Sequence, residues 1–424
     1  MTKDYRETLS CIWVYRNAES PKGTAKTTGG VTMPFDFGSG LKLARETSNN
    51  ADEVTGREGP TALFRSAVTA EGALKQTRAR PDFCLFTLGF FFGQASSELS
   101  GSSAYKHTIS PLADPNHPAF TMCRRLGSSV MKERFAHNLV KGFTLKLGDS
   151  WVGMQADITG GGNRDVNYEK EIVAASENST QLALASNAVE GDTAAERLEN
   201  VRMVRVKKAG ESAWTQVTVT AVSGATPAVL TITPPGISGS SLNYEVYYHP
   251  QEAVWFDPPA TLDESPLRLV ETKLVVDGYF NGSDVVGGVS LAGDLLSCEV
   301  KGENEIELVH VPDASGNLFA SESWRPSRTI TVKLSRRFRD IVRQAQLNNN
   351  ENISLLLRVR GALIPNGGGA RYGFDLIFPR VGIVDAPISV NEKILAEEGD
   401  LRVLVDSDWD LGRVIGYNTV QSYV

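Results

Sequence analysis

The chain has 424 residues and a formal net charge of −7 at pH 7, from 43 basic and 50 acidic side chains. This length suggests about two to three domains, and the acidic balance excludes a protein that is basic over its whole surface and clamps nucleic acid. Hydrophobic residues make up 41% and charged residues 22%, which is typical of a globular protein and too apolar for a disordered one. No apolar run reaches the ~18 residues of a membrane span, and we expect no secretion signal at the mixed-charge N-terminus.

Cysteine and histidine spacing predicts no metal centre. The four cysteines lie far apart, and none of the spacings is that of a metal knuckle, so reduced thiols of a cytosolic protein are expected. No pair of the five histidines has the spacing of metal ligands, and no phosphate-binding glycine loop or complete dinucleotide fingerprint is present. We therefore expect no metal and no cofactor.

The first 33 residues are predicted to form an extended N-terminal arm. Residues 20–30 are small, polar and without periodicity, and such a segment buries too little surface to offset its ordering entropy. It is expected either to order against a neighbouring subunit or to remain a flexible terminus. A second polar stretch, residues 45–62, predicts a long loop or the tip of a hairpin.

Most of the remaining chain predicts β-strands. Apolar and polar residues alternate in several segments, for example 143–147, 201–207 and 401–405, so that one face of each strand is buried and the other solvated. Glycine-rich turn sequences such as 160–163 separate them. Many short strands with such turns indicate a mainly β fold of the sandwich or barrel type with one or two short helices.

Two segments have a helical period. In residues 81–94, Pro81 suits the first helical turn, Asp82 suits the positive end of the helix dipole and Gly93 suits the exit. In residues 335–347 the apolar positions recur at helical spacing, with Ser335 as the predicted N-cap. The outer face of that second helix is predicted to carry Arg336, Arg337, Arg339 and Arg343.

Residues 174–255 are predicted to form a separate inserted module. About five strand patterns occur within about 80 residues, at 181–185, 201–207, 214–222, 229–233 and 243–248. This is enough for a small sandwich, and Trp214 is the predicted anchor of its core. Both flanks continue the same β pattern. The host domain is therefore predicted to be discontinuous, comprising residues 34–173 and 256–424.

Catalytic and cation-binding patterns are weak. Ser129 and Lys132 have the spacing of a penicillin-binding tetrad without its partner motifs. The acidic run 406–410 lacks the glycine and distal glutamate of a calcium loop, which favours a solvated turn. His107 is interpreted as a half-buried strand histidine bonded to backbone rather than as a ligand.

The order of these features resembles the major tail tube proteins of long-tailed, siphovirus-type bacteriophages. The resemblance rests on the arm, the short helix at 83–92, the Tyr-x-His strand at 105–107, the Pro-x-Phe-Thr sequence at 118–121 and the Phe-Asp-Leu-Ile-Phe-Pro-Arg-Val hairpin at 374–381. It covers roughly residues 34–173 and 256–424. The insert departs from this pattern, although added immunoglobulin-like modules are familiar in the family.

The resemblance implies a non-enzymatic virion protein, assembled in the host cytoplasm, whose copies join their sheets into rings that stack as a tail tube for genome ejection. Hexameric rings are expected, with a pseudo-sixfold trimer as the alternative. The implied partners are further copies, the tape measure protein and double-stranded DNA in the lumen without sequence-specific binding, and the tail terminator and distal tail proteins at the ends; no membrane is implied. The residues expected between subunits or rings are Thr24, Thr27, Thr28, Asn49, Asn50, Arg336, Arg337, Arg339 and Arg343.

One of these expectations concerns charge. The arginine-rich helix is expected to lie away from the lumen, because several arginines on phosphates would hold the genome; DNA contact through those arginines is the alternative.

Two other functions remain open. One is a receptor- or carbohydrate-binding tail protein that uses the insert, although the spacing of Tyr244, Tyr247 and Tyr248 fits ordinary strand packing. The other is a β-sandwich hydrolase, which the missing nucleophile–base pattern disfavours.

Overall fold

The computed structural model is mainly β, with 57% of the chain in strands. It describes residues 6–50, 60, 62–127, 131–148, 150–207, 213–237, 242–251, 257–282, 284–311, 318–391 and 394–424. This confirms the predicted mainly β class. Within these residues the strand pairings do not close into a barrel.

The strands are numbered in chain order. Their bounds are β1 (Cys11–Tyr15), β2 (Gly30–Met33), β3 (Gly40–Asn49), β4 (Leu63–Gln76), β5 (Gly93–Ser100), β6 (Ala104–Pro111), β7 (Phe120–Leu126), β8 (Met131–Gly148), β9 (Trp151–Gly160), β10 (Arg164–Val166), β11 (Glu169–Ala175), β12 (Gln181–Ala183), β13 (Val201–Lys207), β14 (Thr215–Gln216), β15 (Val219–Val222), β16 (Val229–Ile232), β17 (Leu242–Tyr248), β18 (Thr272–Val276), β19 (Tyr279–Phe280), β20 (Val285–Val286), β21 (Val289–Ser290), β22 (Leu295–Val309), β23 (Glu322–Arg337), β24 (Asn352–Leu363), β25 (Arg371–Asp385), β26 (Ile388–Asn391), β27 (Ile394–Val403) and β28 (Arg413–Asn418).

Three α-helices occur in the described part of the chain: α1 (Pro81–Phe92), α2 (Ala194–Asn200) and α3 (Val342–Asn348). Two short 3₁₀ turns, Glu7–Leu9 and Leu269–Glu271, complete the helical structure there. None of the described helices has the length and apolar character needed to cross a bilayer.

The chain divides into two compact units. The larger contains Ile12–Met122, Phe135–Asn163 and Pro259–Val424, and the smaller contains the described residues of Met1–Cys11, Cys123–Arg134 and Arg164–Pro258. All described residues of the predicted insert fall in the smaller unit.

A long antiparallel series of strands dominates the larger unit. Its order is β3, β4, β9, β8, β22, β23, β27 and β26. Strand β3 forms a ladder with β4 and strand β26 with β27, and no other described strand has a ladder with either of them. Within the described ranges, the series therefore ends in two free edges.

A second antiparallel series runs β5, β6, β28, β25, β24, β18 and β21. Strand β25 also pairs with β27, which joins the two series. Apolar side chains from both series form one buried core, and helix α1 lies within it.

Helix α1 forms where its local sequence directs it. Pro81 occupies the first turn, and Gly93 ends the helix in the left-handed conformation with φ of 90°, which costs glycine little because it has no Cβ. All twelve residues of the helix are buried, so the predicted aromatic stripe is part of a helix that is apolar around its whole circumference. Such a helix belongs in the centre of a core.

Two glycines allow strands of each series to approach α1 closely. A Cβ on Gly302 of β22 would lie 2.6 Å from the Phe91 ring and 2.3 Å from the Phe143 ring. On the other series, a Cβ on Gly416 of β28 would lie 2.1 Å from a methyl group of Leu85. The helix is thus packed against backbone from both series.

The smaller unit contains the five predicted strand patterns of the insert, with boundaries shifted by a few residues and the 214–222 pattern divided into β14 and β15. Its buried core is filled by residues including Tyr244 and Tyr248. The prediction that Trp214 anchors this core is wrong: Trp214 is half-exposed, because β17 supplies the aromatic side chains of the buried face. Helix α2, which the sequence analysis missed, begins with a capping box formed by Thr193 and Glu196.

The predicted helix over 335–347 is also wrong in its first half. Strand β23 continues to Arg337, and α3 begins only at Val342. Ser335 is therefore a strand residue and not an N-cap. The strand continues because β27 offers a full ladder partner, with Arg336 opposite Glu397.

The predicted arm differs as well. Residues 11–15 form β1, which pairs with β2, and Trp13, Val14 and Tyr15 of this strand are buried. The apolar sequence that precedes the polar stretch 20–30 therefore belongs to the folded structure. That residues 1–33 bridge subunits stays a prediction.

Candidate functional site: a polar sheet face

One face of the first strand series is polar. Side chains alternate between faces along a strand, and in β8, β9, β22 and β23 one set is buried in the core while the other set reaches solvent. In β22, for example, Cys298 and Val300 are buried, whereas Lys301 and Glu303 are exposed. We call the solvent side the polar face.

The registers bring its side chains into rows across the strands. One row contains Gln155, Thr144 and Lys301, and the row beside it contains Lys146, Glu299 and Lys333. Charged side chains of both signs are interspersed on this face: the cations include Lys42, Lys75, Lys146, Lys301, Lys333 and Arg402, and the carboxylates include Glu71, Asp157, Glu299, Glu303, Glu305, Glu398 and Asp400.

Neighbours of opposite sign pair on this face. Lys146 lies 3.0 Å from Glu299, and Lys301 lies 2.5 Å from Glu303. The hydrogen bond that Lys301 donates to Glu303, followed by the charge of that carboxylate, raises the pKa of the Lys301 ammonium. Exposed ion pairs of this kind contribute little to stability. Their consequence is a wall whose positive charges are locally balanced.

The polar face forms a groove of about 1170 Å³. Lys146, Glu299, Lys301 and Lys333 line it, and Trp151 lies among the lining residues of β9. Beneath it, burial raises the pKa of the Cys298 thiol to about 12, so this thiol is held as an unreactive core group. The groove presents charge and hydrogen-bonding groups without an activated nucleophile in its lining.

The arginines predicted at interfaces occupy different environments. Arg336 is buried on β23, and its Nε donates to Glu397 Oε2 at 2.7 Å. Arg343 is buried on α3 and donates to both carboxylate oxygens of Asp277, at 3.1 and 3.0 Å. Both guanidiniums are therefore engaged within the subunit. The expectation that they line an outer helix face is wrong, because each pairs with a carboxylate distant in sequence.

The other two arginines are exposed. Arg337 is the last residue of β23, and Arg339 Nη2 lies 2.9 Å from Asp294. The structure therefore does not bring the four arginines together on one helix face.

The predicted polar contact residues near the N-terminus also separate into two groups. Thr24, Thr27 and Thr28 are exposed, as is Asn49 at the end of β3. Asn50 is buried, and its Oδ1 accepts a hydrogen bond from the Ala62 N–H at 2.9 Å. Asn50 thus closes the described end of the β3–β4 hairpin, whereas residues 51–59 and 61 of the predicted loop lie outside the described residues.

A buried polar network surrounds the start of α1. Asp82 accepts hydrogen bonds from Arg16 at 2.9 and 2.6 Å and from the Tyr423 hydroxyl at 2.6 Å. Glu264 Oε2 accepts the Asp82 backbone N–H at 2.7 Å. Burial, followed by the charge of Asp82, raises the pKa of the Glu264 carboxyl to about 8.

His107 extends this network. It is fully buried rather than half-buried, and its ring nitrogens lie 2.8 Å from Ser97 Oγ and 2.9 Å from Asn418 Oδ1. Asn418 in turn donates to the Tyr423 hydroxyl at 2.6 Å. Burial lowers the pKa of His107, so the imidazole is neutral at pH 7. Ser97 and Asn418 are side-chain partners of its ring, and the bonds continue through Asn418 to Tyr423 in the core.

The remaining sequence patterns give no site in the described residues. Asp406 Oδ1 accepts the backbone N–H groups of Asp408 and Trp409, which is the bonding of a turn. No group of three or more His, Cys, Asp or Glu side chains in the described ranges is placed to hold a metal. Ser129 of the Ser129–Lys132 pattern lies outside the described residues.

Comparison of the sequence with protein-family models finds no match, and comparison with curated proteins finds none either. The polar face is a unit that could not be predicted from the sequence of any one strand. The alternation in residues 143–147 and 401–405 was visible, but only the register shows that these strands belong to one surface.

Proposed function

We propose that this chain is the structural subunit of a phage tail tube, a protein whose identical copies close into rings that stack into a conduit for DNA. The observation that carries the proposal is the antiparallel series that ends in two free edges, β3 and β26. Free edges of this kind pair with other chains unless they are covered. An open sheet with one free strand at each end suits head-to-tail addition of copies, which closes into a ring.

Exposed apolar side chains on β26 support this use of that edge. Val390 is 71% exposed and Ile388 is 48% exposed. Burying such side chains against a neighbouring copy contributes roughly 1.5–3 kcal/mol each. In the proposed ring, β3 of one copy pairs beside β26 of the next. No single copy then forms the wall of the tube, which becomes continuous when the sheets of neighbouring copies are joined.

The polar face supports the role of an inner wall. Because carboxylates are interspersed among its cations, this face has no strongly positive surface, and each lysine or arginine left free for a phosphate would add salt-dependent attraction to DNA. A balanced wall lets DNA pass without holding it. The buried ion pairs of Arg336 and Arg343 agree with this role, because they remove two guanidiniums from contact with a phosphate.

The finer fold follows from the same proposal. The two strand series with α1 between them form the tail-tube sandwich, and the strands of the smaller unit form an immunoglobulin-like module. Six copies form each ring, and three copies with pseudo-sixfold symmetry are the alternative. The tape measure protein and DNA occupy the lumen, and the terminator and distal tail proteins cover the ends of the tube in the virion.

Negative-stain electron microscopy of the purified full chain tests the proposal. At high protein concentration we expect rings or tubes with a hollow centre. Isolated particles of one subunit at every concentration, with a folded circular-dichroism spectrum, would contradict it.

A further inference from the structure

The outer face of the four-stranded sheet β11–β17–β13–β14 in the smaller unit forms a regular grid. Lys170 and Tyr247 are opposite one another in the first row, and Ile172, Glu245 and Arg205 lie across the second. The other face of the same strands is buried in the core. Because successive side chains point to opposite faces, all five side chains are on the side away from that core.

Two aromatic rings on this face are held by cations. The Arg205 guanidinium lies 4.3 Å from the centroid of the Trp214 ring, and Lys207 Nζ lies 4.8 Å from it. The same Arg205 lies 5.5 Å from the Tyr247 ring, with Lys170 Nζ at 5.6 Å. These distances are within the range of cation–π attraction. The rings are therefore positioned at the surface rather than buried, and they share one guanidinium.

Hydrogen bonds fix the polar groups around the rings. Glu245 accepts from Lys170 at 2.5 Å and from Arg205 Nε at 2.7 Å. The Tyr247 hydroxyl accepts from Arg205 Nη2 at 3.1 Å and donates to Glu245 at 3.2 Å. A ligand that binds here meets side chains that have already lost their rotamer freedom, which lowers the entropic cost of binding.

The charge of this cluster is positive. Among the described residues of this cluster, Lys170, Arg205 and Lys207 supply three cations against the carboxylate of Glu245. Lys207 has its ammonium over Trp214. An anionic group beside that ring would therefore find a charge-assisted partner.

We propose that this face binds an acidic polysaccharide, with a sugar ring stacked on Trp214 and its carboxylate or other acidic substituent paired with Lys207 and Arg205. The C–H groups of a pyranose face suit the negative face of an indole, and an aromatic ring with an adjacent polar network recognises both parts of such a sugar. A single nucleic acid strand suits the site less well, because it needs cations that track a backbone, whereas these are gathered around two rings. The proposal does not depend on the tail tube function.

Titration of the full chain with polygalacturonate, with the heat of binding measured by calorimetry, tests the site. Fully methyl-esterified polygalacturonate provides the same ring without the charge, and oligo-dT provides the rival ligand. We expect binding of the acid polymer that weakens with salt, and at least tenfold weaker binding of the ester and of oligo-dT.

Substitutions on this face test whether polygalacturonate binds there. Trp214→Ala is expected to weaken binding of polygalacturonate at least tenfold, and Lys207→Gln about threefold or more. Trp324→Ala is the matched control, because Trp324 is a half-exposed tryptophan of the larger unit, and it should bind as the wild type does. If Trp214→Ala proves unfolded by circular dichroism, Lys207→Gln alone decides. Absence of wild-type binding, unchanged binding in the variants, or tighter binding of oligo-dT or of the ester would overturn the proposal.

Discussion

The hydroxyl of Tyr423 donates a hydrogen bond of 2.6 Å to the carboxylate of Asp82, so the last residues of the chain are bonded to the first turn of the central helix. Arg16 binds the same carboxylate through two N–H groups, and its backbone carbonyl accepts the Val424 N–H at 3.0 Å. Three segments that are distant in sequence therefore meet at one buried charge. Their attachment fixes both the C-terminal tail and the strand that follows the N-terminus.

Replacement of Tyr423 by phenylalanine removes one donor from the buried Asp82 carboxylate and keeps the ring. Hydrogen bonds to charged groups contribute about 1.5–3 kcal/mol, and we expect the free energy of unfolding to fall by that amount. Urea denaturation measures it. Tyr279→Phe, at an exposed tyrosine, is the control and should unfold at the wild-type midpoint. Equal midpoints for all three proteins would show that the bond is energetically silent.

The raised pKa of Glu264 makes the free energy of unfolding depend on pH. Its carboxyl has an ordinary pKa of 4.5 that burial raises to about 8, so between these values the folded state keeps a proton that the unfolded state has released. The stabilising contribution of this proton to the free energy of unfolding is complete below pH 4.5 and is lost as pH rises through about 8. Its slope is at most ~1.4 kcal/mol per pH unit.

Glu264→Gln has no proton to lose, and its unfolding free energy should therefore fall less than that of the wild type between pH 5 and 8. Denaturation at several pH values measures the two slopes. The exposed Glu351→Gln serves as the control and should keep the wild-type slope. Parallel profiles for wild type and Glu264→Gln would contradict the assignment.

Gly302 determines how closely β22 approaches helix α1. Gly302→Ala would place a methyl group among the Phe91 and Phe143 rings, and overpacking of this kind costs about 1–3 kcal/mol. We expect a lower thermal midpoint in calorimetry. Gly148→Ala is the control, since a Cβ at Gly148 meets no atom within 4 Å. A midpoint for Gly302→Ala equal to that of Gly148→Ala would show that the helix shifts without cost.

The free edge of β26 gives a prediction for assembly. Val390→Lys adds a charge to an exposed edge residue, and charges on edges prevent strand pairing. We expect the variant to remain a folded monomer under conditions where the wild type assembles, as measured by analytical ultracentrifugation. Val405→Lys changes a similarly exposed valine, 62% against 71%, outside the strands of the series, and should assemble. If Val390→Lys assembles as well as Val405→Lys, β26 is not the contact.

Helix α1 could be predicted from the sequence because its determinants are local. Pro81, Gly93 and the dense apolar residues between them all lie within one short segment. Helix α2 was equally accessible, since Thr193 and Glu196 have the spacing of a capping box. The mistaken helix at 335–347 had a convincing period, but Arg336 finds its carboxylate on β27, 61 residues away. No local pattern carries that information.

The polar face and the position of Trp214 depend on which strands become neighbours. Alternation predicts that one side of each strand is solvated, but the pairing of β8 with β22 joins segments about 150 residues apart. In the smaller unit, Tyr244 and Tyr248 of β17 point into the core, whereas Trp214 lies against Arg205 on the outer face of the sheet. The choice between two amphipathic faces is made by tertiary packing, which a single strand does not encode.

Cryo-electron microscopy of the assembled full chain would show directly whether identical copies close into a tube. We expect rings of identical copies in which β3 and β26 of neighbours are adjacent and the side chains of Lys301 and Glu303 point into the bore. A map with these two residues on the outer surface, or a protein that forms no ring at any concentration, would contradict it.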